Sequence, residues 1–239
     1  MSHDFSQADR ETLYRVIGSR RDVRAFRPDL VPDDVLHRIL LAAHHAPSVG
    51  FMQPWNFIVI RDPATRARIK EVFLRENQRA AANYTEARGD LYRSLKLEGL
   101  EEAPINLCVT CDRTRSGPHV LGRNTIVDTD LYSTCCAVQN LWLAARVEGV
   151  GVGWVSILDS DELRRILDIP DHVVPVAYLC VGYPGEFIET PELERRGWAG
   201  RVPLEDLIYR ERWAEPASLP APGRRRDSVG NTERQQRLS

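Results

Sequence analysis

Residues 128–157 read DTDLYSTCCAVQNLWLAARVEGVGVGWVSI, and this stretch decides the fold class. Its first part, from Asp128 to Glu148, predicts a helix that is apolar nearly all round. Leu131, Cys135, Val138, Leu141, Trp142 and Ala145 carry that pattern. Such a helix is buried on most sides, inside a domain or at a subunit interface. It runs into Gly149–Ile157, where alternating glycines lead into a strand. A core helix that delivers the chain into a strand points to layered α and β structure.

The pattern continues on both sides. Ser6-Gln7-Ala8-Asp9 has the form of a capping box and opens a helix carrying Leu13, Val16 and Ile17. Pro32-Asp33-Asp34 starts a second helix, with Val35, Ile39, Leu40 and Ala43 at core spacing, and Pro47 ends it. Trp55–Ile60 predicts a short strand closed by Asp62-Pro63, and a long amphipathic helix follows to about Asn83. Residues 84–103 are charged and read as irregular. Ile105–Asp112 is the next strand, 113–125 a loop, Ser160–Leu167 a short helix and Val173–Val181 the fourth strand, stopped by Gly182-Tyr183-Pro184. Strands separated by helices make this an α/β (α+β) chain with one sheet of at least four strands. The ordered domain is expected to span 1–213. Beyond it, three prolines between 216 and 222, a triple arginine at 224–226 and almost no apolar content predict a disordered, dispensable tail over 214–239.

Composition excludes several classes. The 239 residues carry 32 basic and 34 acidic side chains, a formal charge of -2, which argues against a dedicated nucleic-acid binder. No run approaches a membrane span and no signal-peptide apolar region opens the chain, so a cytoplasmic, non-membrane protein is expected. The five cysteines, Cys108, Cys111, Cys135, Cys136 and Cys180, fall mostly in apolar runs and read as reduced, buried thiols. Cys108 and Cys111 stand three apart on a strand and so face opposite sides, which disfavours a shared metal, and no second pair completes a zinc site. No metal is expected. Nucleotide motifs of the G-x-G-x-x-G or Walker type are absent. His44 and His45 are adjacent on a helix and read as packing and surface residues.

Four segments could carry chemistry. In Arg20-Arg21-Asp22-Val23-Arg24, three guanidiniums beside a helix end can clamp a phosphate, or form a solvated cluster. Ala46–Trp55 holds Ser48 and Gln53 in a proline-bounded loop that can address a ligand or simply join helix to strand. Gly149–Ser156 allows close approach of another backbone, a helix or a flat ligand. Gly197–Leu204 places Arg201 in a constrained turn.

Taken together in this order, the four segments resemble the nitroreductase-like flavoprotein superfamily over about residues 12–210. Arg20–Arg24, Ala46–Trp55, Lys96-Leu97-Glu98-Gly99 and Gly153-Trp154-Val155-Ser156 resemble more narrowly the BluB family, the 5,6-dimethylbenzimidazole synthases. Asp22 is the discriminating residue, because common nitroreductases usually carry serine there. The resemblance implies a central mixed sheet flanked by helices, with FMN at a homodimer interface. It also implies fragmentation of reduced FMN (FMNH2) by O2 to 5,6-dimethylbenzimidazole and erythrose 4-phosphate, for the lower ligand of vitamin B12. FMN is then a substrate, supplied by a separate NAD(P)H-dependent flavin reductase. Carried over by residue, Arg20, Arg21, Arg24 and Arg201 hold the phosphate and ribityl end, together with Asp22 and Val23 of the same segment. Ser48, Met52 and Gln53 line the flavin, Val155 and Ser156 lie beside its ring, and Leu97 belongs to a closing segment. Asp22 and Ser156 are the catalytic pair. Two other readings stay open: an NAD(P)H-dependent nitroreductase that retains FMN, and a flavin-binding protein without catalysis.

Overall fold

The computed structural model describes residues 4–213, so the expected tail at 214–239 lies outside the described residues. These fall into two compact units, one ending at Trp198 and one starting at Ala199.

In the first unit, helix α1 (Gln7–Ser19) opens with the expected capping box: Ser6 Oγ accepts the Asp9 N–H and the Asp9 carboxylate accepts the Ser6 N–H. Helix α2 (Asp33–His44) follows Pro32. Strand β1 (Trp55–Ile60) has the expected bounds. Asp62 then accepts the Ala64 and Thr65 N–H groups to start helix α3 (Pro63–Ala81). The stretch read as irregular contains a helix, α4 (Glu86–Ser94). Thr85 gives it no side-chain cap. It is held by packing instead: Tyr92 stacks on Tyr84 at 4.8 Å and donates its hydroxyl to Asn77 Oδ1 at 2.7 Å.

Strands β2 (Ile105–Asp112), β3 (Gly151–Val155) and β4 (Val173–Gly182), with helices α5 (Thr129–Val147) and α6 (Ser160–Ile166), complete the frame. The sheet order is β1-β2-β4-β3 and all three pairings are antiparallel. The four-stranded sheet is thus antiparallel rather than mixed as expected, and among the described residues the parallel pairing is confined to an isolated bridge, Asp22 to Val152. The β2–β4 register shifts between Val109 and Thr110, where Pro175 sits opposite Thr110. Proline lacks the N–H a regular ladder requires, which suits it to such an irregularity.

Both sheet faces are covered. Leu107, Val109, Leu179 and Val181 pack against α2 and α5 through Ile39, Ala43, Val138 and Leu141. Cys108, Tyr178 and Cys180 point to the other face with Ile69 and Phe73 of α3, Leu163 of α6 and Leu100. β2 and β4 therefore run buried as central strands, and β1 and β3 are edges.

Two cysteine expectations are corrected. Cys135 and Cys136 are exposed, because α5 buries Ala137, Val138, Leu141 and Ala145 but leaves Tyr132 and Val147 outward. Cys108, Cys111 and Cys180 are buried and free. Burial pushes the Cys108 and Cys180 thiols up to about 12, so both stay protonated. No described helix is long and apolar enough to cross a membrane.

In the second unit, Arg201 is exposed, Pro203 precedes a 3-10 turn over Leu204–Leu207, and Tyr209 stacks on Trp213 at 4.5 Å.

Candidate active site

The segment after α1 forms the spine of the site. Arg20 ends the helix in an extended conformation, and the chain then runs beside edge strand β3. Val23 donates its N–H to the Val152 carbonyl at 3.0 Å, next to the Asp22–Val152 bridge. The alternating glycines make this approach possible. A Cβ on Gly153 would lie 2.1 Å from the Val23 carbonyl oxygen, and one on Gly151 2.8 Å from Val23 Cγ2. Of the uses open to these glycines, close approach of another backbone is the one observed.

This packing fixes Asp22. Its Oδ1 accepts the Trp154 N–H at 2.9 Å, and its Oδ2 accepts from Arg24. The same Arg24 nitrogen donates to the Trp154 carbonyl at 2.6 Å. The Asp22 side chain keeps 41% of its surface exposed while Arg24 keeps 17%. Burial nevertheless raises the Asp22 carboxyl above its ordinary value, and the opposing pull of Arg24, the Trp154 N–H and Arg20 does not cancel it.

Arg21, Asp22, Val23 and Arg24 line one wall of a cavity of about 290 Å³. Lys96, Phe187 and Arg195 contribute to the rest of the lining. Arg24 Nη1 is buried without a hydrogen-bond partner among the described residues. The lining mixes four cations, Arg21, Arg24, Lys96 and Arg195, with the carboxylates of Asp22, Glu186 and Glu192, and Arg24 pairs with Asp22 and Arg195 with Glu192. A buried, unsatisfied guanidinium donor beside such a wall suits a ligand that brings an acceptor.

The other arginines have different duties. Arg21 gives Nε to the Glu189 carbonyl at 2.8 Å and Nη1 to the Gly18 and Arg20 carbonyls at 2.7 Å each, and Nη2 also reaches Glu189. Its fork is largely spent on backbone, pinning the 185–189 wall to the spine. Arg20 lies over the Trp142 ring, 4.7 Å from its centroid, and Trp142 Nε1 donates to the Arg21 carbonyl at 3.3 Å.

Val155 and Ser156 lie beside a second, smaller cavity of about 130 Å³ with Trp154 and Tyr178. Val155 is buried and Ser156 exposed. Trp154 connects the two cavities, since its N–H holds Asp22 and the residue borders the second. Leu97 is half-buried and packs on the core cluster that includes Leu100 and Val155. The neighbouring Glu98 pairs with Lys70 and accepts the Leu100 N–H at 2.7 Å.

Ser48, Met52 and Gln53 sit elsewhere, in the loop entering β1. Gly50, Phe51 and Gln53 all adopt left-handed backbone, with φ of 52°, 55° and 49°. Ser48 Oγ accepts the Gln53 N–H at 3.0 Å, and Ser48 borders a groove with Tyr132 and Cys136. The Met52 side chain is 2% exposed and belongs to the core of the chain. Arg201 lies in the second unit. Lys96 and Arg195 line the cavity although neither is among the site residues expected from the sequence. Lys96 is one of only two lysines and precedes Leu97, so a signal existed, whereas Arg195 is one arginine among many.

Fold and site together define a class, and the chain belongs to the nitroreductase family, whose pattern matches residues 17–183. Among individual relatives, the chain is 46% identical over 199 residues to a 5,6-dimethylbenzimidazole synthase of Rhodospirillum rubrum, covering 83% of this chain and 94% of that one. A 5,6-dimethylbenzimidazole synthase of Rhodobacter capsulatus is 39% identical over 202 residues, covering 84% and 98%. Among solved structures, iodotyrosine deiodinase bound to FMN and 3-iodo-L-tyrosine superposes with a TM-score of 0.63 at 25% identity, over 75% of this chain and 94% of that chain. A BluB-like flavoprotein from Clostridium difficile 630 shares the fold, with a TM-score of 0.63 at 21% identity over 84% and 99%.

Proposed function

We propose that the protein is a 5,6-dimethylbenzimidazole synthase, which fragments reduced FMN with O2 to 5,6-dimethylbenzimidazole and erythrose 4-phosphate. The observation that carries this reading is Asp22. It is a carboxylate with a raised pKa, locked to β3 through Trp154, and it lines a cavity beside Arg24, whose Nη1 is buried and unpaired among the described residues. The 46% identity to a synthase over most of the chain supports it.

The residues present fit FMN. Arg24, with Lys96 and Arg195 in the same cavity, would hold the phosphate and ribityl end, and Arg21 would hold the wall in place. When bound, reduced flavin supplies the electrons that O2 accepts. Asp22 acts as the base that takes a proton from the sugar chain, a role its raised pKa favours at neutral pH. Ser156 would offer an uncharged hydroxyl to hold or release a proton at the flavin, and the 96–99 segment with Leu97 would exclude water.

The loop bearing Ser48 and Gln53 enters β1, whereas Asp22 lies along β3 at the opposite sheet edge. Three strand spacings of about 4.8 Å separate those edges, roughly 14 Å. A homodimer, in which a second copy supplies this loop to the flavin, resolves the separation. The outward face of α5, with Tyr132 and Val147, offers the apolar surface for it. A separate NAD(P)H-dependent flavin reductase supplies FMNH2.

The test is a single turnover. Protein and FMNH2 are mixed without oxygen, air is admitted, and intact FMN is measured. Loss of FMN with stoichiometric benzimidazole supports the reading. Full recovery of FMN would make the protein a carrier or a conventional nitroreductase.

A further inference from the structure

We infer that Arg115 is a positioning residue for flavin binding, which sets the shape of the Ser48–Gln53 loop from outside the ligand cavity. The inference rests on the proposed reading that Ser48 and Gln53 line the flavin.

The loop does not hold its shape by local preference. Three of the four residues from Gly50 to Gln53 are left-handed, and two of them, Phe51 and Gln53, are not glycine. Such backbone costs about 1–3 kcal/mol per residue and persists only where surroundings over-determine it. Arg115 is a main part of those surroundings. Its Nη1 donates to the Gln53 carbonyl at 2.6 Å and to the Trp55 carbonyl at 3.0 Å, and its Nη2 donates to Asn56 Oδ1. Asn56 is itself held by Thr110 Oγ1 at 3.2 Å on β2. One planar guanidinium thus ties the strained residue Gln53 to the first two residues of β1, a task for which a fork of fixed donors is suited.

Arg115 is in turn held in place. Arg113 and Arg123 both donate to the fully buried Asp130 carboxylate at the start of α5, each at 3.2 Å. The loop between them packs on the flavin loop, since a Cβ on Gly50 would lie 2.6 Å from Val120 Cγ1. Arg115 touches none of the cavity that Asp22 and Arg24 line. Its effect therefore passes through Gln53.

The test uses the full chain with FMN as probe, followed by flavin fluorescence, and FMNH2 turnover alongside. Arg115→Ala is expected to weaken FMN binding about tenfold, the loss of one or two charge-assisted hydrogen bonds. The KM for FMNH2 rises while kcat stays near the parent value. Arg115→Lys recovers part of the affinity. A residue that merely stabilised the fold would instead lower the active fraction and leave KM unchanged. If Arg115→Ala does not fold, Arg115→Lys and Asn56→Ala carry the test, and each must weaken FMN binding with the melting temperature kept. Parent-like FMN affinity in every folded variant overturns the inference. The binding arm decides it even if the parent makes no benzimidazole, which would overturn the synthase reading alone. If the parent does not bind FMN, both fall.

Discussion

Asp22 Oδ1 accepts the Trp154 backbone N–H at 2.9 Å. This bond joins the two halves of the candidate site, because Trp154 lies on β3 two residues before Ser156. Ser156 follows directly after Val155, the last residue of β3. The candidate base and the candidate hydroxyl are therefore placed by one short piece of backbone.

If Asp22 is the base, Asp22→Asn keeps FMN binding and lowers benzimidazole formation by about 10²–10⁴-fold. The comparison of flavin fluorescence with product yield checks it. Equal loss of both would make Asp22 a binding residue.

The pH dependence follows from the direction of the shift. The base form of Asp22 is the carboxylate, and burial raises its pKa above 3.8. Turnover should therefore fall as pH drops through a value above the ordinary aspartate range. The profile of kcat/KM against pH measures this limb, and a limb at or below pH 3.8 would contradict the shift.

Ser156→Ala should keep the fold and FMN binding, because Ser156 is exposed and past the end of β3. Product should fall by at least about tenfold. Parent-like product formation would remove Ser156 from the mechanism.

The glycines of β3 give a stability test. Gly153→Ala forces a Cβ to 2.1 Å from the Val23 carbonyl oxygen, and should cost at least about 2 kcal/mol while loosening Asp22. Gly18→Ala meets nothing within 4 Å in α1 and serves as the control, expected to be neutral or stabilising by up to about 1 kcal/mol. Denaturant midpoints and FMN affinity report both.

Asp130→Ala should destabilise by about 3 kcal/mol, since it leaves Arg113 and Arg123 without their shared carboxylate. Urea unfolding measures the loss. A change below about 1 kcal/mol would show that the two arginines find water or other partners instead.

Much of this was legible in the chain because apolar periodicity and turn residues act locally. β1 and β2 have the expected bounds, and α5 lies within one residue of its expected ends. The Ser6–Asp9 capping box is a contact within four residues, so sequence alone suffices to state it. α4 was not legible, because Tyr92 and Tyr84 stabilise it by stacking rather than by a cap or an apolar stripe. In the site, Asp22 and Arg24 stood out by composition, but which arginine keeps a spare donor depends on where Glu189 folds back. The role of the β3 glycines was open for the same reason, and Val23 decides it. Arg115 gave no signal at all, since its acceptors are about 60 residues away in the chain.

The most direct measurement supplies the purified chain with FMN, NADPH and an unrelated flavin reductase in air, and quantifies 5,6-dimethylbenzimidazole by mass spectrometry. The account predicts product that requires this protein and is lost in Asp22→Asn. Intact FMN with no benzimidazole, from a folded protein that binds flavin, would contradict it.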